Sequence, residues 1–257
     1  RKGSSGHASK RAAAAAPVGG VLPKEDKTIG GQFQAQTKYR RGQLPSSTGR
    51  RVPVLKVYAN PLEVAALPVP VLQGGQGLWN TLSQRRPHIP EGGQIRQQQL
   101  SQILWATAGF TFGGLRTFAN SGPTSGIETY LVVRQVQDMF AGLYHYNPRD
   151  HSLEYLRRGD PSFDLQDALL GVTDLDACAA ILAYTGVPNR LEDGVKSRAF
   201  RYLYLEAGAA AQCAIMAAAA LELVSSFRPE FYDDELARLV QVDGEREFPL
   251  CVVTLGT

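Results

Sequence analysis

The stretch 207–221 runs fifteen residues without a charge, and nine of them are alanine. Alanine has the strongest helix preference of any residue and loses no side-chain entropy in a helix. Helical composition continues on both sides, so one long helix is expected over 197–223. Its alanine-rich turns carry little bulk and let a neighbouring element come close to the helix backbone. The uncharged run is still short of the ~18–20 apolar residues that span a bilayer. A core helix is therefore expected, with no transmembrane helix and no secretory signal.

The segments around that helix set the fold class. A flexible Gly-rich turn at 74–77 leads into a short helix at 78–82. A second helix over 97–108 places Leu100, Ile103, Leu104 and Thr107 on one face. The Gly/Ser/Thr/Asn-rich stretch 109–126 is too long for an idle turn. Strand composition follows at 128–135, with Tyr130, Leu131, Val132 and Val133. Stretches 142–146 and 152–156 read as a hairpin joined through 147–150, with His145 and His151 at its surface. Residues 178–185 suit a buried strand or a helix end. Residues 225–231 read as the exit loop of the long helix. A short helix at 233–240 and a central strand at 248–255 close the chain. This order is α+β and not βαβ repetition, and it predicts a mainly antiparallel sheet covered by helices.

The 257 residues are enough for a large core, but the charge is unevenly spread. Residues 1–51 hold eleven Lys/Arg against two acids, whereas 52–257 hold sixteen against twenty-two. Three regions are expected: a disordered basic leader at 1–32, an extended Pro-punctuated arm at 33–73 that packs on the domain or on a partner, and the domain itself at 74–257. The chain opens on Arg1, as expected of a processed or trimmed product, and its leader has the composition of a transit remnant or an unstructured tail. Aromatic residues are sparse in the leader and no RNA-binding module follows, so no nucleic-acid partner is expected. Cys178, Cys213 and Cys251 lie far apart and form no disulfide framework. A reducing compartment is expected: the cytoplasm, or an organelle stroma if the leader is a transit remnant.

Several chemistries are excluded by motif. No glycine fingerprint follows a strand and no phosphate-loop signature is present. The four histidines show no metal-ligand spacing. The segment 122–126 echoes a nucleophile elbow, but it precedes a strand where an elbow follows one. Three polar patches remain. Arg85 and Arg86, with His88 near them, offer paired guanidinium groups suited to a phosphate. Asn120, Ser121 and Gly122 form a small hydrogen-bonding stretch that a flat ligand could approach. Ser225, Ser226 and Arg228 follow the long helix.

Several segments in order resemble one known family. They are Leu100 to Gly109, then Arg116-Thr117-Phe118-Ala119-Asn120-Ser121-Gly122 running on to Glu128 and Tyr130. Next come Gly142-Leu143-Tyr144-His145-Tyr146, and Arg198 through Glu206-Ala207-Gly208 to Gln212. Together they are similar to the nitroreductase-like FMN oxidoreductases. Within these they most resemble the SagB-type azoline oxidases, which dehydrogenate thiazoline and oxazoline rings in modified peptides.

The resemblance implies a nitroreductase-like α+β fold and an obligate dimer with FMN at the subunit interface. The partner would be a second copy or a related nitroreductase-fold subunit, within a peptide-modifying complex. It would put the FMN phosphate on Arg85 and Arg86 and the isoalloxazine edge beside Asn120, Ser121 and Gly122. Gln212 would join from the long helix, and Ser226 and Arg228 from the segment after it. No metal is implied. Where azoline oxidases carry a catalytic Lys-Tyr, this sequence reads Gly194-Val195, so no catalytic residue is assigned. That departure, with the loss of the usual glycines after the long helix, carries a second reading: a flavin-poor or catalytically silent subunit that completes a partner's active site.

Overall fold

A computed structural model describes residues 28–50, 52–85, 90–122, 124–172 and 174–257. The basic leader up to residue 27, and Arg86 and His88 of the arginine patch, lie outside the described residues. The chain divides into two units, residues 1–39 and 40–257. In the first, Thr28 accepts a 3.2 Å hydrogen bond from Gly31 N and caps the helix α1 (Ile29–Gln36). Composition places the end of an unstructured leader at 32, so this helix runs across that boundary.

The second unit is built on strands β1 (Glu63–Ala66), β2 (Ile127–Val133), β3 (Gly142–Asn147), β4 (Ser152–Arg158), β5 (Ala180–Gly186), β6 (Val224–Arg228) and β7 (Phe248–Gly256). They form one sheet in the order β1-β4-β3-β2-β5-β7-β6, and every one of these pairings is antiparallel. The helices are α2 (Leu78–Gln84), α3 (Gln97–Ala108), α4 (Ser162–Ala168), α5 (Ala199–Ala220) and α6 (Asp233–Leu239). This is the α+β architecture the element order predicts.

Alternation along the strands splits the core into two layers. Leu131, Val133, Leu182, Tyr184 and Val253 face α3 and α5. Val132, Leu143, Ile181, Ala183 and Val252 face the opposite way, onto α4 and α6. Helix α5 buries Leu203, Ala207, Ala210, Ala211, Ala214, Ile215 and Ala218 on the first layer. By length and composition it could cross a membrane; here it is the core helix of that layer. Glu222 ends it in a left-handed conformation (φ 59°), with Leu223 N donating to Ala218 O at 2.9 Å. That position usually carries glycine, so the sequence gives no stop signal there.

One open reading is settled and two expectations change. The stretch 178–185 takes the strand alternative, as central strand β5. Residues 225–228, expected at the start of an exit loop over 225–231, belong to edge strand β6, since β7 presents a free edge that pairs Ser226 with Thr254 and Arg228 with Val252. His145 is not at the surface of its hairpin: it is fully buried between Glu128 and Glu154. His151 is half-buried, with its ring 2.7 Å from Ser101 Oγ and 2.9 Å from Tyr146 OH.

Residues 53–71 of the arm are fixed to their own domain. Lys56 N and Tyr58 N donate to Glu128 and Glu154, β1 pairs with β4, and Ser101 Oγ donates to Pro68 O.

Candidate functional site

The loop 109–126 is held at both ends. At its start, Trp105 Nε1 donates to Phe110 O at 3.1 Å, and Thr117 Oγ1 donates to Trp105 O at 3.0 Å. Arg116 donates to Ala108 O while its guanidinium lies over the ring of Phe110, 4.7 Å from the centroid. At its end the anchor is Glu206 of α5, which is 1% exposed. One carboxylate oxygen accepts from Ser121 N (2.8 Å) and Ser121 Oγ (2.6 Å). The other accepts from Ser125 Oγ and Gly126 N, both at 3.0 Å. Four donors on one buried carboxylate compensate for its desolvation. Gly126 also lets the helix approach closely: a Cβ there would lie 2.4 Å from Leu203 Cδ2, so that buried leucine would have to shift.

Beside this loop lies an open groove. Its walls are Leu78 and Thr81 of α2, Trp105 and Ala106 of α3, Thr117, and Gln212, Cys213 and Met216 of α5. The lining has no charge. Burial pushes the Cys213 thiol above its usual range, which favours the protonated form. Arg85, the C-cap of α2, follows Thr81 by four residues and so shares its side of the helix. Leu78 in the groove wall (61%), its neighbour Trp79 (80%) and Leu205 of α5 (70%) are exposed apolar side chains on the two helices that flank the groove.

The sequence-predicted residues therefore fall into two sets. Arg85, Asn120, Ser121, Gly122 and Gln212 belong to α2, the braced loop and α5. Asn120 closes its own turn, its side-chain amide donating to Gly122 O at 2.6 Å, while Ser121 and Gly122 remain exposed. Ser226 and Arg228 are elsewhere. Their β7 partners Thr254 and Val252 face away from α3 and α5, and cross-strand partners share a face. Arg228 is also ion-paired with Asp174. Neither residue lines the groove of its own chain.

Of the first set only Gln212 lines the groove, while Arg85 and residues 120–122 sit on the helix and loop that border it; their chemistry, taken with the groove walls, fits a flavin mononucleotide in kind. Apolar walls with Trp105 and Met216 suit a flat ring, Gln212 supplies an amide, and Arg85 supplies a cation for a phosphate. The bracing by Glu206 keeps the exposed Ser121-Gly122 backbone in one conformation. In the sequence Glu206 stands out only as part of the segment that resembles the family. Its signal was available, because it is the one acid in the 22 residues of α5. The groove residues Thr117, Cys213 and Met216 carried no such signal.

A profile of the nitroreductase family matches residues 93–257. It includes α3, the braced loop and α5, and leaves out α2 with Arg85. A candidate nitroreductase of Methanocaldococcus jannaschii is 29% identical over 160 residues, which is 62% of this chain and 79% of that protein. Among solved structures, a candidate nitroreductase from Ralstonia eutropha has a TM-score of 0.65 at 26% identity, covering 84% of this chain and 94% of the other. One from Anabaena variabilis has a TM-score of 0.71 at 23% identity, covering 88% of this chain and 46% of the other. A chain of the E. coli microcin synthetase McbBCD complex with truncated pro-MccB17 bound has a TM-score of 0.59 at 19% identity, covering 89% and 91%.

Proposed function

We propose a function from one premise: the chain belongs to the nitroreductase family. It has that family's fold, an antiparallel sheet of seven strands flanked by helices, and it is an oxidoreductase of that family. The finer proposal is that it works with FMN. The observation that carries it is the uncharged groove beside a loop braced by Glu206, with Arg85 on the same side of α2 as Thr81. Arg85 would hold the phosphate, Ser121 and Gly122 the ring edge, and Gln212 a polar ring atom. Arg86 joins Arg85 in this proposal as its sequence neighbour. Bound flavin supplies two-electron redox chemistry at its N5. The chain's own residues bind and orient it, and the apolar walls keep water off its face.

The groove is open, and its apolar rim is exposed in the single chain. A second subunit, the same or a related chain, would cover Leu78, Trp79 and Leu205 and complete the site. For the substrate we propose a modified peptide, on the likeness to a chain of a complex that holds a pro-peptide. The test is direct: purify the chain, record its visible spectrum, identify any flavin by mass, and measure its mass in solution by light scattering. A colourless monomer that takes up no added FMN defeats the proposal.

A second reading has its own observation. Gly194-Val195 stand where azoline oxidases carry Lys-Tyr, and the neighbouring Asp193 is occupied by Ser47, Thr48 and Gly49. A catalytically silent subunit that completes a partner's site fits this. Flavin binding without turnover, gained on adding a related subunit, would select it.

A further inference from the structure

The sheet face that carries α4 and α6 also holds a buried ionic cluster that the proposed function does not use. His145 of β3 is at its centre and is 0% exposed. Its Nε2 lies 3.1 Å from Glu128 Oε2 on β2, and its Nδ1 lies 2.7 Å from Glu154 Oε2 on β4. Each glutamate turns its other oxygen to the arm. Glu128 Oε1 accepts from Lys56 N at 2.8 Å, and Glu154 Oε1 accepts from Tyr58 N at 3.2 Å. Arg190 pairs with Glu128 Oε1 and donates from Nε to Pro53 O at 3.1 Å. Lys56 Nζ donates to Glu247 Oε2 and to Tyr130 OH, both at 2.7 Å. The rings of Tyr58 and Tyr130 tilt against His145, with centroids 5.3 and 5.1 Å away.

The proton count follows from this geometry. A neutral imidazole has one N–H and one lone pair. Both ring nitrogens of His145 face carboxylate oxygens, so in a neutral ring one contact sets a lone pair against an anionic oxygen. An imidazolium donates to both. With it, Glu128, Glu154 and Glu247 are matched by His145, Arg190 and Lys56, and the cluster is neutral. Without it, a buried site carries one uncompensated negative charge, which is costly.

We propose that residues 53–58 are a proton-fastened strap: the imidazolium of His145 fixes Glu128 and Glu154 where they grip the amides of Lys56 and Tyr58, and loss of that proton releases the strap from the sheet. The release would be felt beyond the strap. Arg190 is bonded to Pro53, and Asp193 accepts from Thr48 N at 2.6 Å and Gly49 N at 3.0 Å. The segment 190–193 is thereby tied to the arm, and it leads into α5, where Glu206 braces the loop beside the groove.

The direction in pH follows from the groups that face His145. Burial pushes it down, but the hydrogen bonds to Glu128 and Glu154, and then their charges, outweigh burial and hold it above the usual histidine value. Its contribution is therefore complete below about pH 6.5 and is lost as pH rises through the raised folded value. Around it, Lys56 is opposed by burial yet raised overall by Glu247, and burial with Glu247 raises Tyr130 far above its range, so neither changes charge in that window. Arg190 and, at longer range, Arg116 add positive charge near Glu128.

Hydrogen exchange of the full chain at a series of pH values tests this. Protection factors for the amides of Lys56 and Tyr58, the N–H groups that anchor the strap, are compared with those of β7. The expected result is a fall at 53–58 of up to about tenfold per pH unit from about pH 6.5 up to the raised His145 value, levelling off above it, with β7 unchanged. Glu154→Gln removes one of the two carboxylates that favour the imidazolium, so its transition should move to lower pH. His145→Gln should leave 53–58 weakly protected at every pH. If His145→Gln does not fold, the transition in Glu154→Gln still decides. Protection at 53–58 that does not depend on pH, that moves in parallel with β7, or that keeps its midpoint in Glu154→Gln overturns the proposal.

Discussion

Glu206 and Ser121 are joined by two hydrogen bonds to one carboxylate oxygen, 2.8 Å from the backbone N–H and 2.6 Å from the hydroxyl. The pair links the middle of the core helix to the loop proposed to face the flavin. A packing contact thereby becomes a positioning contact. Ser125 and Gly126 take the other oxygen, so the carboxylate fixes the loop at two points.

Removing that carboxylate should be expensive. In Glu206→Ala, four donors lose their acceptor, and the expected loss of stability is on the order of 3 kcal/mol. Glu206→Gln keeps the volume but turns an amide N–H₂ toward donors, so roughly half of that loss is expected. Urea unfolding of both variants gives the comparison. If Glu206→Gln binds flavin as tightly as the wild type while losing stability, the residue supports the fold and not the site.

The acid side of the stability profile should report on Glu128. Burial pushes its pKa up, but the hydrogen bond to His145, then Arg190, outweigh burial and hold it below the usual carboxylate range. A depressed folded value means stability that is present above about pH 4.3 and lost as pH falls through the folded pKa. Glu128→Gln should cost roughly 3–5 kcal/mol at neutral pH, because it leaves Arg190 and His145 facing a neutral amide. The gap to wild type should close in acid, where wild-type Glu128 is protonated as well. Unfolding midpoints across the pH series measure this, and a constant gap would show that Glu128 keeps its proton balance on unfolding.

Assembly can be separated from folding at Leu205. It is 70% exposed on α5, so Leu205→Asp should change the stability of one chain by no more than about 0.5 kcal/mol. An aspartate buried in an apolar interface has no partner and should dissociate the proposed dimer. Light scattering reads the outcome directly. A dimer that survives Leu205→Asp places the interface on another face.

Much of this fold was legible in the sequence because the signals were periodic. The run at 207–221 became α5, the alternating stretches became β2, β3 and β4, and 248–255 became β7. What escaped lacked local cause. Strand β6 contains two serines and exists because β7 offers it an edge. The sequence marks His145 as a polar hairpin residue, whereas its burial depends on Glu128 and Glu154 from two other strands. The same holds for the site. Asn120, Ser121, Gly122 and Gln212 were marked by the family pattern, but the brace from Glu206 spans 85 residues of chain and appears only once the helix is docked. Ser226 and Arg228 were placed by order along the chain, and strand alternation turns them to the other face.

The arginine pair gives the sharpest test of the flavin proposal. Arg85 caps α2 and is followed in sequence by Arg86, so this end of the helix carries two cations in a part of the chain that is net acidic. Forked bonds from arginine to phosphate are charge-assisted and contribute about 1.5–3 kcal/mol each when partly buried. Replacing Arg85 and Arg86 together with alanine should therefore weaken FMN binding by roughly two to four decades. Lysine at both positions keeps the charge and loses the fork, so it should recover part of that affinity. Fluorescence quenching of FMN titrated into the wild type and both double variants gives the three dissociation constants. Equal constants would mean that the pair is a solvated surface feature and that the phosphate, if bound at all, is held elsewhere.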